Sequence, residues 1–206
     1  MPSYSIIMTV YDHAHDLEES LPVVLEQEYE PGYEVIVVDE SSTDETPDVL
    51  KLLKSKYPHL YSTFLPKPDK RVTRRKQAFN IGIKASKNEW VIFTDIHKKP
   101  TSPNWLNELA DSIDGSSKVM LGYFRKKGTR LQIFDEVWEA NRQIRKAERK
   151  RANGHEGKRL KYLRGKYDFI VVRRDYAHDL LKFFEQDISL SRLLGLRLSI
   201  MCHNIR

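Results

Sequence analysis

Apolar runs rich in β-branched residues alternate along the chain with segments of helical periodicity. Ser5–Val10 and Glu34–Asp39 are two such runs, and both have the length of a buried strand. Between them, apolar side chains recur at helical spacing at Leu17, Leu21, Val24 and Leu25. Strand, helix and strand in this order predict a βαβ unit.

The ends of the first helices are predicted from capping patterns. Asp16 and Glu19 have the spacing of a capping box, which places the start of the first helix at Asp16. Pro22 then predicts a kink or a restart within that helix. After the second strand, Thr46 and Pro47 are typical of the N-cap and first position of a second helix.

The same alternation continues through the rest of the chain. Helices are predicted to start at Thr73 and at Ser102-Pro103, and to cover Asp175–Phe184 and Ile188–Leu194. Strands are predicted over Tyr61–Leu65, Trp90–Asp95, Lys118–Phe124, Asp168–Val172 and Arg197–Cys202. This order predicts an α/β fold with a Rossmann-like, mostly parallel sheet flanked by helices.

Length and composition favour one soluble domain over residues 1–206. The chain has 206 residues, of which 40% are hydrophobic and 31% charged, as in ordinary globular proteins. The single cysteine, Cys202, excludes an intrachain disulfide and suits a reducing compartment. No run approaches the about 18 apolar residues of a membrane span, and Met1–Tyr4 leads into a strand without a signal peptide. We therefore expect a cytoplasmic protein.

Positive charge is concentrated in one segment. Residues 142–166 contain eleven Lys and Arg against two Glu, a local charge of +9 in a chain whose net charge is +6. With the apolar stripe that precedes them, these residues predict a basic helical segment over 134–166. It favours contact with an anionic partner such as phospholipid headgroups, although a solvated helix face stays open as the alternative. No recognition motif for nucleic acid accompanies the charge, so we expect no such partner.

Polar and acidic residues follow three of the predicted strands. They are Thr9–Asp12 after the first strand, Asp39–Asp44 after the second, and Asp95–His97 after the strand that begins at Trp90. In open α/β sheets, ligands bind beyond the carboxyl ends of the strands. Carboxylates at this edge can hold a divalent metal or accept hydrogen bonds from ribose hydroxyl and base imino groups.

These segments resemble family 2 glycosyltransferases. The resemblance covers roughly Ser3–Met120 and rests on Ser5–Tyr11, Glu34–Asp44, Asn80–Ala85, and Trp90–His97 followed by Pro100 and Trp105. It implies a GT-A fold, with residues 1–120 as the half that binds a nucleotide-sugar donor and residues 121–206 as the acceptor half. It also implies that the chain is an enzyme, a glycosyltransferase.

The resemblance also implies roles for individual residues. A divalent cation, Mn²⁺ or Mg²⁺, would be held by Asp95 and His97, and Tyr11 would stack on the base. The residues implied to bind the nucleotide-sugar are Thr9, Tyr11, Asp39, Glu40, Arg75, Lys76 and Asp95.

A weaker resemblance concerns the acceptor side. Phe184–Leu190 is similar to the acidic segment that carries the family's catalytic base, which assigns that role to Asp187 and implies inversion at the anomeric carbon. The implied acceptor is a saccharide or a lipid-linked molecule in surface polysaccharide or glycoconjugate synthesis, with peripheral contact at the inner, anionic face of a membrane. Because the chain stops at Arg206, we also expect it to lack the C-terminal segment that closes the acceptor site in relatives.

Several positions depart from the family pattern. Thr9 stands in place of a proline, Glu40 and Ser41 in place of Asp-Gly, and His97 in place of the second aspartate of Asp-x-Asp. An inactive scaffold that binds a nucleotide or another anionic partner is therefore the alternative function. Plain structural roles also stay open: caps of turns and helices for Asp39, Asp44 and Asp187, a rim aromatic for Tyr11, an unliganded histidine for His97, and surface charges for Arg71–Lys76.

Overall fold

The computed structural model describes residues 1–66, 74–113, 119–124, 168–178 and 198–202. Its strands are β1 Tyr4–Val10, β2 Tyr33–Asp39, β3 Leu60–Phe64, β4 Trp90–Thr94, β5 Val119–Tyr123, β6 Phe169–Arg173 and β7 Leu198–Cys202. Its helices are α1 Ala14–Leu25, α2 Thr46–Lys56, α3 Arg74–Ala85 and α4 Trp105–Ser112, and residues 174–178 are helical as well. The predicted strands lie within one residue of those observed.

The seven strands form one sheet in the order β3-β2-β1-β4-β6-β5-β7. The pairs β1/β2, β1/β4, β2/β3 and β5/β7 are parallel. β6 lies between β4 and β5 and runs antiparallel to both. The predicted α/β fold with a mostly parallel sheet is confirmed. β1 is central among the first strands, so the residues after it lie between those that follow β2 and β4.

Helices cover both faces of the sheet. Along β1, Tyr4, Ile6 and Met8 belong to one apolar cluster with α1, α2 and α4, whereas Ile7 belongs to a second cluster with α3. Successive side chains of a strand point to opposite faces, so a strand covered on both sides reads as a continuous apolar run. This is why β1 shows no alternation of polar and apolar residues in the sequence.

The prediction that α1 starts at a capping box is wrong. The helix begins at Ala14, with His13 at the N-cap position and no capping hydrogen bond from its side chain. The carboxylate of Asp44, in the loop after β2, accepts the hydrogen bond from the Ala14 N–H at 2.9 Å. Pro22 lies inside α1 and does not end it.

Smaller corrections concern two other helix starts. α2 begins at Thr46 itself, one residue earlier than predicted, because Glu45 occupies the N-cap position. α4 begins at Trp105 and not at Ser102, whose hydroxyl instead accepts the hydrogen bond from the Asn104 N–H at 3.1 Å. The start at Thr73, the basic segment 134–166, the helix Ile188–Leu194 and Asp187 lie outside the described residues. None of the helices in the described ranges is both long and apolar enough to cross a membrane.

Candidate functional site

The carboxyl ends of β2, β1 and β4 lie side by side and form one edge of the sheet. The register pairs Val10 of β1 with Asp39 of β2, so the loops after these strands start at the same level. The fold therefore brings together the three groups of polar residues that the sequence singled out. This edge is the candidate functional site.

Asp39 is the buried carboxylate of the site, with 6% of its surface exposed. Its Oδ1 accepts hydrogen bonds from the Ser42 N–H at 2.8 Å and from the Ser42 hydroxyl at 2.6 Å. The Ser42 oxygen in turn accepts a hydrogen bond from the Asp12 N–H at 3.0 Å. Asp39 thus has the turn-capping role left open by the sequence, and both bonds to Ser42 use the same carboxylate oxygen.

Two residues of these loops adopt left-handed backbone conformations. Ser41 has φ = 68°, and its hydroxyl donates a hydrogen bond of 2.7 Å to the Leu65 carbonyl. Asp12 has φ = 51°, and its Oδ1 accepts a hydrogen bond from the Thr43 N–H at 2.6 Å. This backbone bond is the main cause that lowers the pKa of Asp12. The two loops are therefore tied to each other at the ends of β1 and β2.

Asp44 connects two helices to this edge. Its Oδ2 accepts from the Ala14 N–H, and its Oδ1 accepts from the Thr46 N–H at 3.0 Å. The nearby Thr46 hydroxyl is the largest cause that lowers the pKa of Asp44, and the backbone N–H groups of Ala14 and Thr46 act in the same direction. The helix-capping alternative is therefore the arrangement that the structure shows for this residue.

Basic residues of α3 reach the same edge. The guanidinium of Arg74 lies over the Tyr11 ring, 5.0 Å from its centroid, and 41% of Tyr11 is exposed. Nη2 of Arg75 lies 3.1 Å from Oδ2 of Asp95. Lys76 is half-buried on the same helix. An exposed ring and a guanidinium pair beside carboxylates are groups that bind a planar base and a phosphate.

Glu40 follows Asp39 and is half-buried between the loops. Burial is the largest influence on this carboxyl group and raises its pKa. A hydrogen bond from the Thr9 side chain and the charges of Arg74 and Arg75 act in the opposite direction. Thr9 and Glu40, both predicted site residues, therefore lie near each other.

Asp95 and His97 are close in sequence, but their side chains have different partners. Oδ1 of Asp95 accepts a hydrogen bond from the His97 backbone N–H at 3.0 Å. The imidazole of His97 packs edge-on against that of His13, with centroids 4.9 Å apart, and its Nδ1 lies 3.7 Å from Oδ2 of Asp16. Nδ1 of His13 lies 3.1 Å from the same oxygen.

These contacts define a group of possible metal ligands, His13, Asp16 and His97, whose ligand atoms all lie within 4.8 Å of one another. Asp95 is not a member of this group. Sequence reasoning missed His13, and it used Asp16 only as a helix cap. The available signal was a histidine and an aspartate three residues apart at a helix start, on the same side of the sheet as His97.

The sequence matches the family described as Glycosyl transferase family 2 over residues 5–181. The chain belongs to this family. The match extends beyond the first 120 residues that carried the resemblance, and it confirms the expectation of a glycosyltransferase domain.

Among curated proteins, the chain resembles the glycosyltransferase AglE of Haloferax volcanii. The two are 28% identical over 123 residues, which are 59% of this chain and 39% of AglE. The chain therefore spans well under two thirds of the length of this relative.

Solved structures of glycosyltransferases share the fold. The mannosyltransferase PcManGT of Pyrobaculum calidifontis, in complex with GDP-Man and Mn²⁺, aligns with a TM-score of 0.62 and 19% identity over 100% of this chain and 57% of its own. S. aureus TarS 1-349 in complex with UDP-GlcNAc aligns with a TM-score of 0.50 and 26% identity over 61% of this chain and 36% of its own. The GT-A fold is confirmed.

Membership of the family explains one of the departures noted in the sequence. Ser41 stands where family 2 glycosyltransferases usually have the glycine of Asp-Gly, and its φ of 68° is in the region that glycine adopts without strain. The backbone at Ser41 therefore has a conformation that suits glycine, although the residue is serine. The hydrogen bond from the Ser41 hydroxyl to Leu65 offsets part of the cost of this conformation.

Proposed function

We propose that this protein transfers a sugar from a nucleoside diphosphate sugar to an acceptor hydroxyl. The observation that carries the proposal is the meeting of buried Asp39, exposed Tyr11 and the Arg75–Asp95 pair at one sheet edge. Family membership supports it, and so do the complexes of PcManGT with GDP-Man and of TarS with UDP-GlcNAc. In this assignment residues 1–120 bind the donor and residues 121–206 form the acceptor side.

The donor would be recognised by its base and its diphosphate. The Tyr11 ring offers a stacking surface, and Asp39 has a carboxylate oxygen, Oδ2, beyond the one that holds Ser42. That oxygen suits a base imino group or a ribose hydroxyl. Arg75 and Lys76 on α3 provide positive charge for the phosphate oxygens, which guanidinium binds in bidentate geometry.

The fit of a divalent cation rests on Asp95. Its carboxylate is 30% exposed at the sheet edge, and carboxylate oxygen suits Mn²⁺ and Mg²⁺. A cation bound there would offset the negative charge that develops on the leaving diphosphate. In the structure, the positive group facing Asp95 is Arg75, which would shift onto the phosphates when donor and cation bind. The imidazole of His97 contacts Asp16 instead, so we assign the donor-side cation to Asp95.

The reaction would form a bond between the acceptor oxygen and the anomeric carbon while the bond from that carbon to the diphosphate oxygen breaks. The acceptor hydroxyl loses its proton as it attacks, and we assign Asp187 as the base that takes it. Attack from the face opposite the leaving group inverts the anomeric configuration. A positioned base contributes about 10²–10⁴-fold to such a step.

The acceptor and the location follow from charge. We propose a saccharide or lipid-linked acceptor in the synthesis of surface polysaccharide or glycoconjugate, with residues 134–166 resting on anionic lipid headgroups at the inner face of a membrane. A cytoplasmic protein in peripheral contact with the membrane would then meet both a soluble donor and a membrane-bound acceptor. Nucleic acid is not among the proposed partners.

A second candidate function is an inactive scaffold that binds a nucleotide without transferring its sugar. The Arg75–Asp95 pair favours it, because a guanidinium occupies one oxygen of the carboxylate that would bind the cation.

The two candidates are separated by titrating common UDP- and GDP-sugars with and without Mn²⁺ and by following donor consumption with and without saccharide acceptors. We expect donor binding, and turnover that Asp187→Asn abolishes while donor binding persists, whereas Glu185→Gln changes little. Binding without any turnover of the wild-type protein would support the scaffold. Absence of binding of every nucleoside diphosphate would contradict both candidates.

A further inference from the structure

Two imidazoles and a carboxylate converge beside the proposed donor site. His13 precedes the first turn of α1, Asp16 lies in that turn, and His97 lies in the loop after β4. We propose that these three residues bind a divalent transition metal ion of the zinc class. The site is distinct from the cation position assigned to Asp95.

The type of ligand favours this class of ion. Imidazole nitrogen suits Zn²⁺ and its transition-metal neighbours, and two histidines with one carboxylate leave positions open for water or another ligand. Mg²⁺ and Ca²⁺ prefer oxygen ligands and are expected to bind this set poorly.

The distances favour a shared ion as well. Two ligands about 2.1 Å from a metal in tetrahedral geometry lie about 3.4 Å apart. Oδ2 of Asp16 lies 3.1 Å from Nδ1 of His13 and 3.7 Å from Nδ1 of His97, on either side of that value. The three ligand atoms stay within 4.8 Å of one another, so small rotations of exposed side chains are sufficient to bind an ion.

Neighbouring positive charges have carboxylate partners outside the cluster. Nζ of Lys98 lies 2.8 Å from Asp168, and Nζ of Lys99 lies 3.6 Å from Glu19. The two lysines that follow His97 are therefore compensated by acids, one of which is Glu19, one turn beyond Asp16 on α1. An ion in the cluster would join α1 to the loop that follows Asp95.

The proposal is tested by metal binding to the full chain after removal of metals with a chelator. Equilibrium dialysis against Zn²⁺ is expected to give one ion per chain at this site, and Co²⁺ is expected to give visible absorption bands of a site with nitrogen ligands. His13→Ala and His97→Ala are each expected to weaken binding more than about tenfold, since even residues that merely support metal ligands contribute 10–100-fold. His13 makes no capping hydrogen bond, so His13→Ala leaves the helix start intact, which circular dichroism verifies.

His15→Ala is the matched control. His15 is exposed on the same helix, and its imidazole lies 3.7 Å from Glu19 and outside the cluster. This variant is expected to bind Zn²⁺ like the wild-type protein and to show the same rise in melting temperature on Zn²⁺ addition, whereas His13→Ala shows no rise. Absence of Zn²⁺ binding, or binding that both His13→Ala and His97→Ala retain, would overturn the proposal. Donor binding is measured separately without Zn²⁺, so the proposed function stands or falls on its own.

Discussion

At the scale of single residues, the site depends on a buried carboxylate with two tasks. Asp39 fixes the loop after β2 through Ser42, and it is the acidic group we assign to the nucleoside. The oxygen of the same serine accepts a hydrogen bond from the Asp12 backbone N–H, so the loops after β1 and β2 are tied to each other. The proposed role in binding and the observed role in holding the loop therefore fall on one side chain, and experiments need to separate them.

Replacing Asp39 by alanine is expected to weaken nucleotide binding by roughly 1–3 kcal/mol, because a buried polar partner is then left unpaired. Calorimetry with the best-binding nucleoside diphosphate measures the loss. Ser42→Ala removes the hydroxyl that bonds to Asp39 but keeps the carboxylate, so it reports the share that acts through the loop. Glu30→Ala, an exposed acid near the amino end of β2, is expected to leave affinity unchanged. Equal losses in Asp39→Ala and Ser42→Ala would show that Asp39 acts only through the loop.

At the scale of elements, one residue, Asp44, caps the N-termini of both α1 and α2. Asp44 accepts hydrogen bonds from the first residues of both helices, across 30 positions of sequence for Ala14 and two for Thr46. An acid at two helix N-termini is favourable also because both helix dipoles present positive charge there. The position of both helices on the sheet therefore depends on the loop after β2.

The capping role of Asp44 predicts a dependence of stability on pH. Its pKa is lowered in the folded protein, so its ionised form contributes stability above the unfolded pKa of about 4, and this is lost as the pH falls through the folded pKa. We expect Asp44→Ala to be less stable than the wild-type protein at pH 7, with a smaller difference at pH 3. Urea unfolding at both pH values measures this. Ser55→Ala, which removes an exposed hydrogen bond in α2 and no carboxyl group, is expected to keep the wild-type pH profile.

The close contact between α3 and β1 predicts that one added methyl group at Gly82 lowers the stability of the protein. A Cβ at Gly82 would lie 2.4 Å from Cγ2 of Ile7, whose side chain is fully buried. Gly82→Ala is expected to lower the free energy of unfolding by about 1–3 kcal/mol from overpacking, which outweighs the about 1 kcal/mol that alanine contributes in a helix. In an Ile7→Ala background the same change is expected to cost less, and a double-mutant cycle measures that coupling. A Gly82→Ala protein as stable as the wild type would contradict this packing.

At the scale of the whole molecule, charge is unevenly distributed along the chain. The +9 of residues 142–166 leaves about −3 for the rest of a chain with net charge +6. In the described part of residues 1–120, acids lie at the sheet edge together with the basic residues of α3 and with Lys98 and Lys99. Attraction to an anionic surface would therefore act mainly on residues 142–166.

This asymmetry predicts salt-sensitive binding to anionic vesicles. Each basic residue near such a surface contributes about 1 kcal/mol, so replacing Arg149, Lys150 and Arg151 by glutamine is expected to weaken binding by about two orders of magnitude. Cosedimentation with vesicles of neutral and anionic lipid measures the effect. The matched control replaces Lys51, Lys54 and Lys56 of α2, and it is expected to bind nearly as the wild type does. Equal binding to neutral and anionic vesicles at all salt concentrations would contradict the prediction.

The sequence by itself determined the order of the elements, and it predicted the sheet edge that is the candidate site. Strand bounds followed within one residue, because buried strands are apolar on both faces and that requirement is local. The carboxylates at the ends of β1, β2 and β4 were found for the same reason, since polar residues follow directly where a buried strand ends. The order of strands and helices along the chain was enough to predict an α/β fold with a mostly parallel sheet.

Only the tertiary structure decided which side chains meet. The cap of α1 comes from Asp44 and not from Asp16, and the imidazole of His97 contacts His13 and Asp16 while its backbone binds Asp95. These partners are separated by up to 84 positions. They are selected by hydrogen-bonding geometry between loops, and no local sequence pattern encodes that geometry. The position of antiparallel β6 between β4 and β5 could not be predicted from the sequence either, because strand pairing depends on which strands are neighbours in space.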